Sequence, residues 1–69
     1  MNLANKLKMA MTATETTQIE LSRRIGQEQA NLSRKLRADN FNVNDYEKMV
    51  NALGCTLRVE IILPDGRII

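Results

Sequence analysis

The chain has no histidine and no tryptophan, and only one each of cysteine, proline, phenylalanine and tyrosine. Each scarcity removes a class of chemistry. Without histidine, and with Cys55 alone, there are too few nitrogen and sulfur ligands for a transition-metal site. A lone cysteine cannot close an internal disulfide, and nothing points to an oxidising compartment. With Phe41 and Tyr46 as the only rings, the core has to be built from Leu, Ile, Val, Met and Ala. No apolar run approaches the length of a membrane span. Lys6 and Lys8 interrupt the N-terminal segment, which therefore does not read as a signal peptide. A cytoplasmic chain without a cofactor and without a membrane partner is expected.

The same scarcities argue against an enzyme. There is no glycine-rich phosphate loop and no nucleophile paired with a base. Asp45 and Glu47 lie two apart on an expected helix and face different ways. Cys55 has no evident base, and its place just after Gly54 suits a structural role.

What is present is an ordinary globular balance, 43% hydrophobic and 26% charged, which argues against disorder. A chain of 69 residues is one domain. Such a chain buries only ~60% of the surface it exposes when unfolded, so self-association is a natural expectation. The net charge of +2 says little by itself, but its distribution is uneven. Arg23, Arg24, Arg34, Lys35 and Arg37 face a single acid, Glu28, across residues 23–37, whereas residues 39–54 are net acidic. A basic segment of this kind is the electrostatic footprint of a nucleic-acid binder. Taken without any motif, a solvated helical face is the preferred reading.

Four helices are legible. Leu3, Leu7 and Met11 make a four-residue ladder, and the threonine-rich run 12–17 breaks it. The stretch 17–36, TQIELSRRIGQEQANLSRKL, then reads as two short helices, 18–25 and 28–37, joined by a glycine turn. Thr17 is a capping residue, Leu21 and Ile25 share one face, and Leu32 and Leu36 repeat that spacing. Gly26 falls where a helix ends in a left-handed residue. Glu28 is a poor N-cap for the second of these helices, although its charge suits the helix dipole. Asp39-Asn40 marks a turn. A fourth helix is capped by Asn42, stapled by Phe41 on Tyr46, lined by Tyr46, Met49, Val50 and Leu53, and ended by Gly54.

Gln29, Asn31, Arg34, Lys35 and Arg37, on the polar side of the third helix, are residue types that reach bases or phosphates. A helix pair with an apolar inside and a basic, amide-rich outside is what a DNA-reading helix-turn-helix requires.

Thr17-Gln18 with Leu21, Ile25, Gly26, Leu32 and Ser33 resembles the Thr-Gln-x-x-Leu-Ala…Gly…Ile/Leu-Ser pattern of the Xre group, the family of lambda-type and Cro-type phage repressors. The likeness spans about residues 3–55 and continues through Ala52-Leu53-Gly54. It departs at Ser22, where the family has a small apolar residue. It departs again at Gln27 and Lys35, which stand at places often apolar. The resemblance implies a compact, mainly helical, four-helix lambda-repressor-like domain over residues 1–55. It implies a sequence-specific transcriptional regulator, a homodimeric repressor of double-stranded DNA with a two-fold-related operator. It assigns Gln18 to phosphate, and Gln29, Ala30 and Arg34 to base reading, with Asn31 as their neighbour. In that scheme Gln29 suits adenine, Arg34 guanine and Ala30 a thymine methyl, while Lys35 and Arg37 meet phosphate.

Residues 56–69 change period from helical to alternating. Leu57, Val59, Ile61 and Leu63 point one way, and Thr56, Arg58, Glu60 and Ile62 the other. Leu63-Pro64-Asp65-Gly66 has the residues of a type I turn. A C-terminal β-hairpin or strand is expected, with Leu57, Val59, Ile61, Ile62 and Leu63 as a dimerisation element. A second reading, from another class, is a protein-interaction module or antitoxin-type protein that uses the same fold to hold a protein partner.

Overall fold

A computed structural model describes residues 2–69 as four helices: α1 (Leu3–Ala13), α2 (Gln18–Ile25), α3 (Gln29–Ala38) and α4 (Val43–Ala52). Three of them open on a side-chain cap that satisfies an orphan N–H of the first turn. Asn2 Oδ1 accepts from the Asn5 N–H at 2.9 Å, and Asn42 Oδ1 from the Asp45 N–H at 2.7 Å. Thr17 Oγ1 accepts from the Glu20 N–H at 3.1 Å while Glu20 Oε1 takes the Thr17 N–H at 3.2 Å, a reciprocal capping box. Only α3 lacks one: Glu28 makes no side-chain cap bond.

The helix ends are equally specific. Gly26 closes α2 at φ 70°. Asp39 closes α3 at φ 50°, in a left-handed conformation that a β-carbon disfavours. Its carboxylate compensates, because Asp39 Oδ1 accepts from the Ala4 N–H at 2.8 Å. The end of α3 thus supplies a second cap for α1. Tyr46 adds another tie, donating from its hydroxyl to the Leu3 carbonyl at 2.8 Å. Phe41 packs edge-on against Tyr46, with ring centroids 5.3 Å apart, as the staple requires.

One fully buried side chain comes from each helix: Leu7, Leu21, Leu32 and Met49. Ala4, Met11, Leu36, Tyr46, Val50 and Leu53 complete the core around them. Helix α2 lies against both α3 and α4, and α1 lies against α3. Ser22 is buried in this interior, and its hydroxyl donates to the Ile19 carbonyl at 2.8 Å, so a polar atom stands at a small-residue position without a penalty. The threonine run is part helix: α1 continues past Met11 to Ala13, and Thr14 Oγ1 donates back to the Ala10 carbonyl at 2.8 Å.

The C-terminal strand is not formed. Among the described residues there is one isolated antiparallel bridge, Ile62 with Ile68, and no strand. The turn itself closes, with the Gly66 N–H donating to the Leu63 carbonyl at 2.9 Å. Ile61 and Ile69 then exchange two bonds of 2.9 Å. Residues 67–69 lie opposite 61–63, and residues 56–60 make no backbone hydrogen bond among the described residues. A two-stranded ribbon that short has no cooperative ladder to hold it. Of the expected dimerisation residues, Leu57 packs onto the helical core and Leu63 is half-buried. Val59, Ile61 and Ile62 are 66%, 59% and 70% exposed.

The principal extents are 43 × 23 × 18 Å, and the radius of gyration is 13.3 Å. A compact domain of this length has a radius of about 11 Å. No helix among the described residues is long and apolar enough to cross a membrane.

Candidate nucleic-acid interface

Turning Leu32 and Leu36 into the core leaves the opposite side of α3 in solvent. Ala30, Arg34 and Arg37 are exposed there, and Gln29, on the Leu32 side of the helix, is exposed at its first position. Asn31 is half-buried, and its Oδ1 accepts from the Arg34 guanidinium one turn on, which orients Arg34 along the helix. Arg37 and Arg23 have no carboxylate in ion-pair range among the described residues, so their charge is uncommitted.

The first turn of α2 comes to the same region. Gln18 is half-buried, and its Oε1 accepts from Ser33 Oγ at 2.9 Å. Gln29 precedes Ser33 by one helical turn and so lies on the same stripe of α3. Gln18 keeps its amide donors free while its carbonyl is fixed. The capping box beneath it also has an electrostatic effect. The Glu20 carboxyl lies below its usual value of 4.5, first through the Thr17 backbone and hydroxyl bonds and then through the charges of Arg24 and Arg23.

Two of the five basic residues of the segment lie against a carboxylate. Arg24 lies 3.9 Å from Glu20 and donates to the Ala52 carbonyl at 3.0 Å, tying α2 to the end of α4. Lys35 was expected at phosphate, but its Nζ lies 3.4 Å from Asp45 Oδ2 and 3.4 Å from Gln27 Oε1. That places its ammonium between α3 and α4, apart from the face carrying Ala30 and Arg34. The unusual polar residues Gln27 and Lys35 therefore answer each other. Sequence reading missed Ser33 and Asp45, which hold two of the expected site residues. They lie 15 and 10 positions from their partners, across turns that helical periodicity does not span.

Gln18 is tied to the Ser33 stripe on which Gln29 opens α3, at a helix N-terminus lacking a side-chain cap, while Ala30, Arg34 and Arg37 line the neighbouring exposed stripe and Asn31 lies beside Arg34. The residues 57–63 of the tail are not part of this surface. No family model matches the chain, and no curated protein or solved structure does.

Proposed function

We propose that this chain is a sequence-specific DNA-binding regulator of the lambda-repressor-like helix-turn-helix kind, acting in the cytoplasm as a homodimeric repressor on a two-fold-related operator. The observation that carries the reading is the α2–Gly26–α3 unit. Its inside is sealed by Leu21, Leu32 and Leu36, and its exposed residues include Gln29 and Ala30 at the start of α3 and Arg34 one turn along. In this reading α3 enters the major groove. Gln29 pairs with adenine, Arg34 with guanine, and Ala30 touches a thymine methyl. Gln18 and Arg37 hold phosphate and set the register.

One recognition helix reads too few base pairs for high specificity. Two copies with their α3 helices about one DNA turn apart, roughly 34 Å, read both halves of an operator. Residues 56–60 favour such pairing, because their backbone lies unpaired beside the exposed Val59 and Ile61. A second copy supplies the partner that the chain itself does not.

Selection of bound sequences from random duplexes tests the reading. An enriched, two-fold-related site supports it. No enrichment, with weak binding even at low salt, overturns it. The exposed tail residues Val59, Ile61, Ile62, Ile68 and Ile69 are the one observation favouring the protein-interaction or antitoxin-type alternative.

A further inference from the structure

Gln27, Lys35 and Asp45 meet where the α2–α3 turn, the last turn of α3 and the first turn of α4 converge. The Lys35 ammonium is 3.4 Å from each of the two acceptors. Asp45 is itself held in place: Asn42 Nδ2 donates to its Oδ2 at 3.1 Å, and its own N–H donates to Asn42 Oδ1 at 2.7 Å. The N-cap of α4 therefore fixes the carboxylate that receives Lys35. The other two cations of α3, Arg34 and Arg37, are exposed and have no carboxylate partner among the described residues. Lys35 alone is committed.

We infer that Asp45 is a positioning residue that lowers affinity for all DNA by holding Lys35 off the phosphate backbone. The inference rests on the DNA reading of α3. A lysine is a point charge on a flexible four-carbon stem, and a half-exposed ion pair is weak enough for that stem to swing away. If it swings while Asp45 is ionised, a bare carboxylate remains beside the phosphates. The pair is neutral at this spot whichever way the ammonium points, so nothing is gained from a phosphate contact. Once the carboxylate is removed, the same swing adds one neutralised phosphate. Phosphate contacts carry no sequence information, so the gain applies to operator and random DNA alike.

The test titrates the full chain with its selected operator duplex and with a random duplex of equal length, over a series of salt concentrations. Asp45→Asn removes the charge and keeps the side chain's shape. It is expected to tighten both duplexes and to steepen the slope of log affinity on log salt by about 0.9. Between 50 and 200 mM salt that is an additional loss of about 3.5-fold. Glu47→Gln makes the same change in net charge at an exposed position of α4 and leaves the slope unaltered. Lys35→Gln added to Asp45→Asn restores the original slope. An unchanged slope in Asp45→Asn overturns the proposal. So does a double variant that keeps the steeper slope of Asp45→Asn, since the added phosphate contact would then not be Lys35's. Wild-type protein that binds neither duplex at low salt overturns the DNA reading and this proposal with it, whereas the slope outcomes overturn only this proposal.

Discussion

Side chains of one type do different work here according to what lies beside them. Arg24 is spent on Glu20 and the Ala52 carbonyl, whereas Arg37 is free in solvent. Replacing Gln29 or Arg34 by Ala is expected to relax base preference at one position each, at a cost of ~1–3 kcal/mol on the preferred site. Replacing Arg37 weakens all sequences alike and lowers the salt slope by about 1. Quantitative binding to a library of single-base operator variants distinguishes the two patterns, and unchanged preference in both Gln29→Ala and Arg34→Ala places the reading surface elsewhere. Glu20 gives a pH signature. Its folded-state carboxyl is depressed, so its contribution is full above the unfolded value of 4.5 and is lost as pH falls through the folded value. Thermal midpoints are expected to drop below about pH 4.5 in the native chain, and part of that drop is absent in Glu20→Gln. Tyr46 has the opposite sense. Burial, then the nearby Asp39 charge, raise its hydroxyl above 10.0, so its contribution is lost as pH rises through that range.

The elements were readable from the sequence because each carries its own punctuation. Thr17, Gly26 and Asn42 stand at the boundaries they were expected to mark, and the Leu21–Leu32–Leu36 spacing identified the packed faces. What was not readable depends on meetings between elements, as at Asp39 with Ala4, Tyr46 with Leu3 and Lys35 with Asp45. The tail was misread for a related reason. Its alternation is genuine, but a strand needs a neighbour, and alternation does not say whether residues 56–60 have one. Two substitutions examine the helix pair. Gly26→Ala meets no atom within 4 Å, so its cost is conformational only, about 1–2 kcal/mol for a left-handed residue with a β-carbon. Leu21→Ala opens a cavity between α2, α3 and α4 and costs ~2–5 kcal/mol. A domain this small has about 3–10 kcal/mol in all. Denaturant melts are expected to show a clearly larger loss of stability for Leu21→Ala than for Gly26→Ala; equal, small losses would contradict the packing described.

At the scale of the molecule, a helical body carries a tail whose Leu57 packs onto the core while Val59, Ile61 and Ile62 stay exposed. If the tail joins two copies, Val59→Lys with Ile61→Lys should turn a dimer into a monomer without loss of helix, because both residues are exposed. Sedimentation at micromolar concentration and circular dichroism report the two properties separately. A wild-type chain that sediments as a monomer, and binds a single half-site as tightly as a full operator, contradicts the dimeric reading. The central claim is that α2 and α3 read DNA through Gln18, Gln29, Ala30 and Arg34. It is tested most directly by selection from random duplexes with the native chain and with Gln29→Ala in parallel. The account predicts one enriched two-fold-related site for the native chain, and a loss of preference at one symmetric pair of positions for Gln29→Ala. Enrichment of no sequence, or the same site recovered unchanged by the variant, would contradict it.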